Sequence, residues 1–277
     1  MEQEQSYLRA FCNYAYIIGM TALAIVPFLW VILTSLKPEA EIFDPARLWP
    51  SVLYLQHYLA VWFNADFFRY FLNSALVALA STFICLVCSV TAAYGFTRFK
   101  IRGGNKILLA VLFTQMFPAV LLVLPYYILM KRLNLNNTLA GLVIVYTSFV
   151  LPFCIWNIKN FFATLPWELE ESAFVDGCNR FQAIVKAILP IAKPGIAATA
   201  ILAFIRSWDE FMYANTFINT KELRTVQLGL QSFIGEYTTE WGKLMAGAVI
   251  SCVPVMLFFG FIQQNLVQGL AAGSVKG

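Results

Sequence analysis

The chain has 277 residues, of which 60% are hydrophobic, 16% aromatic and only 12% charged, with a formal net charge of +4. Ordinary globular chains carry about 25% charged residues. This composition therefore excludes a soluble protein with a covered surface, a disordered segment and a nucleic-acid module built on a dense basic block, which leaves an integral membrane protein.

A membrane-crossing helix needs about 20 mostly apolar residues. Six runs meet that need, at about 14–36, 71–96, 107–130, 139–158, 195–218 and 244–267. They are too long for strands and show no sustained alternation, so the fold class is all-α integral membrane, read as one domain over 1–277 and not as a β-barrel. The first run follows Glu2, Glu4 and Arg9 without a basic start, and no small-residue cleavage site follows it, so it reads as a retained span. The next segment, 37–70, is broken by Asp44-Pro45 and Trp49-Pro50 and carries Trp49, Tyr54, His57, Tyr58 and Trp62. His57 is the only histidine and reads as a loop residue, which leaves little material for His-based metal sites or a Ser-His-Asp triad.

In the second run Cys85 and Cys88 form a C-x-x-C. No second pair or nearby His completes a metal site, so these cysteines, with Cys12, Cys154 and Cys252, read as small core hydrophobes. Segment 97–106 holds Arg98, Lys100, Arg102 and Lys106 around a Gly103-Gly104 turn. With the N-terminus inside, ten Lys and Arg fall in inside segments and eight outside, leaving out Arg206, which places both termini in the cytoplasm. No G-x-x-x-x-G-K-[ST] occurs, so any ATP chemistry would belong to another chain.

Segment 159–194 reads KNFFATLPWELEESAFVDGCNRFQAIVKAILPIAKP and is more than a link. Pro166 suits a first helical turn, where Glu168, Glu170 and Glu171 meet the positive helix end. Gly177 can stop that helix in a left-handed conformation. Phe181, Ile184, Val185, Ile188 and Leu189 then resume an apolar face, and Pro190 and Pro194 end it or redirect the chain. Such a helix–turn–helix suits either docking into a partner's groove or lying on the lipid surface.

The same segment carries a family resemblance. ESAFVDG, nine residues, then AILP resembles the "EAA" signature of the membrane subunits of binding-protein-dependent ABC importers. Ser172 stands where that signature has Ala, and Ala187 where it has Ile. Phe117-Pro118, LPYYILMKRLNLNNTLAGL at 124–142, LPWELEESA at 165–173, WDEFMYA at 208–214 and the ending GLAAGSVKG are similar to carbohydrate-uptake permeases of the maltose-type second subunit. Gln264, Asn265 and Gln268 depart from that pattern, where arginines are usual.

The resemblance implies a permease subunit in the inner membrane that imports a di- or oligosaccharide or a sugar-like polyol or phosphate. It also implies a second permease subunit, two ATP-binding subunits and an external sugar-binding protein as partners. ATP and Mg belong to the ATP-binding subunits, and this chain is implied to be no enzyme and to bind no cofactor or metal. ATPase coupling falls on Glu170, Glu171, Ser172, Ala173, Asp176, Gly177, Phe181, Ile184, Leu189 and Pro190, with Glu171 as the ionic contact. The tail Ser274, Val275, Lys276 and Gly277 either reaches the ATPase interface or frays.

Arg206, Asp209 and Glu210 interrupt the fifth run, where charge is costly. They are read as a self-satisfied ion cluster, as the wall of a sugar path with Trp208 and Tyr213 stacking on a sugar face, or as residues in a headgroup layer. The aromatic residues of 37–70 are read as interfacial anchors or as a contact for the binding protein. An importer of a non-sugar solute such as a polyamine, and a stand-alone secondary transporter, remain as alternatives.

Overall fold

The structure is a computed structural model and describes residues 2–274, with side chains described from Cys12 to Gln263 apart from Asn64 and Ile262. The main helices are α1 (Glu2–Ser35), α2 (Phe67–Arg98), α3 (Gly104–Phe113), α4 (Ala119–Arg132), α5 (Leu139–Ala163), α6 (Glu168–Val175), α7 (Arg180–Trp208), α8 (Met212–Phe217), α9 (Val226–Gln231) and α10 (Trp241–Ser274). Among the described residues the only β pairing is an isolated bridge between Ile234 and Thr239. α1, α2, α5, α7 and α10 are each long and apolar enough to cross a membrane.

The run at 107–130 is not one helix. It comprises Gly104–Met116 and Ala119–Arg132, which meet at 100°. The cause is local: a residue before proline is pushed out of the helical region, and Phe117, before Pro118, is extended at φ −72°, ψ 128°. Prolines 27, 125, 152, 194 and 254 sit inside helices without such a break, as membrane helices tolerate when neighbours satisfy the freed carbonyls.

The run at 195–218 also divides. α7 stops at Trp208 and α8 restarts at Met212, with Asp209 to Phe211 between them. At its other end α7 begins at Arg180, well before 195, so Pro190 and Pro194 lie within the helix and do not end it. Pro190 has no N–H, and its ring crowds the carbonyl four residues back. The turn just before it, Ile184–Ile188, has widened to π geometry. α5 likewise continues to Ala163, so the non-spanning stretch is shorter than 159–194.

The chain forms two compact units. One comprises residues up to Phe68 together with Gly229–Val253. Its α1 is apolar and exposed along Tyr14 to Leu29, as suits contact with lipid. The loop after it is held by buried polar contacts. Lys37, 1% exposed, donates from Nζ to the Arg47 carbonyl at 2.7 Å and lies 5.0 Å from the Trp30 ring centre. His57 is not a free loop residue: it is buried, with Nε2 3.0 Å from the Lys37 carbonyl. Gly242 passes so close to its ring that a Cβ there would meet Nε2 at 2.2 Å. Glu41 accepts from the Ser51 hydroxyl and amide and from Arg47, which hold its carboxyl below the usual carboxylate range, Ser51 contributing most.

The second unit is Arg69–Leu228 with Pro254–Gly277. Its core gathers α2, α4, α5 and α8 around Val77, Met130, Leu142, Tyr146, Tyr213 and Phe217. A smaller cluster, Cys85, Val150, Cys154 and Ala203, joins α2, α5 and α7. Small residues there let helices approach closely. The core reading of the cysteines therefore holds for Cys85 and Cys154, whereas Cys12, Cys88 and Cys252 are exposed. A third cluster, Ala93, Tyr94, Ile158, Phe162, Ile188 and Ala192, packs the other ends of α2, α5 and α7.

Candidate functional site

The helix–turn–helix between α5 and α7 is built by short-range chemistry. α6 carries Glu168, Glu170 and Glu171 in its first turn, where the helix dipole favours carboxylates. It ends in a Schellman motif: Cys178 N donates to the Ala173 carbonyl at 2.9 Å and Gly177 N to the Phe174 carbonyl at 3.0 Å. Gly177 takes φ +80°, a conformation that needs glycine. α7 starts with a reciprocal capping box, Asn179 and Gln182 each accepting from the other's backbone N–H at 2.9 Å.

The ten residues assigned to coupling divide by exposure. Glu171, Ser172, Asp176, Gly177, Phe181 and Pro190 are exposed, Ile184 and Leu189 half-buried, and Ala173 buried. Glu170 is 0% exposed and is no surface contact. Tyr94 Oη donates to its Oε2 at 3.0 Å, and the Arg98 guanidinium pairs with its Oε1. Ile184, Leu189 and Pro190, with Phe181, line an open apolar groove together with Phe83, Leu86 and Val87 of α2, and Ile184 also packs on the Ala93–Tyr94–Ile158 cluster. The outward face is Glu171, Ser172, Val175, Asp176 and Phe181, with Val175 87% exposed. Val175 was not among the assigned residues; its place one helical turn after Glu171 and just before the Gly177 stop puts it on that face.

The second place is the break between α7 and α8, beside a cavity of about 610 Å³. Arg206, Asp209, Glu210 and Tyr213 line it together with Thr114, Gln115, Phe117 and Phe149. Trp208 does not; it is buried against the rings of Phe71 and Phe204. The expected ion cluster is absent: among the described residues Arg206 pairs with neither acid. The Glu210 carboxylate instead accepts the backbone N–H of Tyr213 at 2.8 Å and of Ala214 at 3.1 Å, satisfying the start of α8. The Tyr213 ring stacks on Phe149 at 5.6 Å, and its hydroxyl donates to the Ala119 carbonyl at 3.2 Å. Gln115 Nε2 donates to the Phe149 carbonyl at 2.9 Å. Gln115, Phe117 and Phe149 were missed in the sequence: the first two reach the cavity at the bend at Phe117-Pro118, and Phe149 reaches it from α5, remote in sequence from Asp209 and Glu210. Among the described residues no group of three His, Cys, Asp or Glu is placed to hold a metal. Of the tail, Ser274 closes α10, and Val275, Lys276 and Gly277 lie outside the described residues.

Spanning helices, a bent pair, and an outward helix–turn–helix between two of the spans define a multi-pass helical membrane protein. Residues 85–272 match the family described as "Binding-protein-dependent transport system inner membrane component". The chain is 36% identical over 252 residues to the sulfoquinovosyl glycerol transport system permease protein of Agrobacterium fabrum, covering 91% of this chain and 88% of that one. It is 35% identical over 271 residues to the trehalose/maltose transport system permease protein of Thermococcus litoralis (94% and 96% covered). It is also 33% identical over 256 residues to the trehalose transport system permease protein of Mycobacterium tuberculosis (92% and 93% covered). The fold superposes with a TM-score of 0.79, at 20% identity, on a chain from the crystal structure of a bacterial ABC transporter involved in the import of the acidic polysaccharide alginate, covering 94% of this chain and 97% of that one. The chain belongs to the binding-protein-dependent transport system inner membrane components.

Proposed function

We propose that this chain is one of the two permease subunits of an ABC importer that carries a sugar into the cell. The observation that carries the reading is near end-to-end similarity, at a third identity or more, to permease proteins named for transport of sugars and a sugar glycoside. The exposed helix–turn–helix supports it, since it presents a carboxylate, Glu171, beside apolar Val175 and Phe181, a combination suited to a groove with a basic rim. In this reading both termini and α6 are cytoplasmic, and α6 with the start of α7 sits in a cleft of an ATP-binding subunit. ATP and Mg are bound there, and hydrolysis belongs to that subunit. Closure of the ATPase pair pushes the loop and tips the permeases between two packings, which opens the path to alternate sides. The segment Ser274 to Gly277 belongs to the same interface.

The cavity at the α7–α8 break is the part of the sugar path that this chain walls. Phe117 and Phe149 offer ring surface, with Tyr213 stacked behind Phe149, and Gln115, Arg206 and Asp209 offer hydrogen-bonding groups, the pairing that sugar recognition uses. Co-expression with the neighbouring genes tests the reading. An ATP-binding chain should co-purify, and uptake of a disaccharide should require ATP; uptake that continues without ATP rejects it.

A further inference from the structure

We infer that the far end of α2 is a third attachment point of the helix–turn–helix, and that Arg98 is the positioning residue that makes α2 move with it. The inference rests on the coupling role proposed above. Covalently, the segment is joined only to α5 and α7. Non-covalently, both of its arms are fastened to the end of α2 and the residue that follows it, within Tyr94 to Phe99.

Arg98, the last residue of α2, holds the first arm at three points. Its guanidinium pairs with Glu170, its Nη2 donates to the Leu165 carbonyl at 3.2 Å, and it lies 5.4 Å from the Trp167 ring centre. Tyr94, one turn earlier, occupies the other Glu170 oxygen. Both carboxylate oxygens are thus committed inside the chain, where the Arg98 side chain is 7% exposed and that of Glu170 0%. The second arm is fastened beside it: the Arg180 guanidinium sits 4.8 Å from the ring centre of Phe99, and Phe99 packs edge-on against Tyr94 at 5.9 Å.

A bare surface loop has no need of this. Two charges taken out of water are retained at a cost unless their geometry fixes something. What this pair fixes is the placement of α6 on α2. On the two-turn helix α6, Glu171 and Val175 face outward and the clamp residue Glu170 faces inward, and Phe181 continues the outward face at the start of α7. A push on the outer side is therefore delivered through the carboxylate to Arg98 and along α2, which lines the core shared with α5, α7 and α8.

The test uses the complete importer, with its partner permease, ATP-binding subunits and binding protein, in lipid vesicles. Spin labels at Lys100→Cys and Glu168→Cys, the latter on α6 outside the coupling residues, in a background with the six native cysteines replaced, report the distance between the end of α2 and α6. The same distance with and without trapped nucleotide is expected. A distance that changes with nucleotide, in a complex that still transports, overturns the clamp. A complex that never shows ATP-dependent uptake would instead count against the functional reading. If the cysteine-free background does not assemble, Glu170→Gln and Arg98→Lys in the native background give a second measurement. ATP-binding subunits should co-purify at the wild-type ratio and ATP turnover should persist, while sugar moved per ATP falls about tenfold. Unchanged sugar per ATP in both variants, or loss of assembly that an outer-face variant such as Phe181→Ala does not share, assigns the pair to folding alone and overturns the inference.

Discussion

Gly195→Ala probes a close approach of two spans, α5 and α7. A Cβ on Gly195 would lie 2.4, 2.5 and 2.9 Å from Cγ, Cδ2 and Cδ1 of Phe161. Carbon pairs rest at about 3.5–4.0 Å, so each contact is about 1 Å too short. The contacted atoms are at the root of the ring, and Phe161 packs on the Ala93–Tyr94–Ile158 cluster, so it has no easy retreat. Overpacking of this kind costs about 1–3 kcal/mol. The sign reverses when the ring is removed: in a Phe161→Ala background the same change gains about 0.5–1 kcal/mol, because alanine outranks glycine inside a helix. Unfolding by SDS titration in mixed micelles, applied as a double-mutant cycle to wild type, both single variants and the double variant, measures this directly. Gly195→Ala as stable as wild type, or equally destabilising in both backgrounds, would refute the close-approach reasoning.

Lys37→Ala should loosen the 37–64 segment by about 1–3 kcal/mol through the orphaned Arg47 carbonyl, read as faster proteolysis between residues 44 and 52; Lys37→Met, which keeps the stem on Trp30, should also be cut faster than wild type. The same segment should respond to acid. Glu41 is held below the usual carboxylate range, so its contribution is present above the ordinary value and is lost as pH falls through the lowered one. Proteolysis of this segment should rise there in wild type, and Glu41→Gln should flatten the pH dependence. Gly177→Ala places a side chain at φ +80° and should cost about 1–3 kcal/mol of local order, whereas Glu171→Lys should leave stability unchanged and abolish ATP-dependent uptake. Asp209→Ala should alter the range of sugars taken up; an unchanged range with reduced expression would make the residue structural.

The spans were legible because the bilayer imposes a length and a composition, and each of the six runs met both. The helix–turn–helix was legible because its parts are local: acids at a helix start, a left-handed glycine, a capping pair. The two breaks were harder. Phe117-Pro118 stood in an apolar run like the prolines that α1, α4, α5, α7 and α10 absorb, so nothing in the run itself marked it as the one that breaks. Asp209 and Glu210 drew attention as intramembrane charge, but their meaning is a helix end: Glu210 serves the N–H groups that α8 exposes by starting again. Residues whose partners are distant were misjudged for the same reason. His57 read as a loop residue until it meets the Lys37 carbonyl, and Glu170 read as a contact until Tyr94 and Arg98 closed over it.

The most direct measurement is uptake of a labelled disaccharide into vesicles containing this chain, its partner permease, the ATP-binding subunits and the binding protein, with ATP inside or withheld. Uptake should need both ATP and the binding protein, and Glu171→Lys should abolish it. Uptake that proceeds without ATP, or at the wild-type rate in Glu171→Lys, contradicts the importer reading.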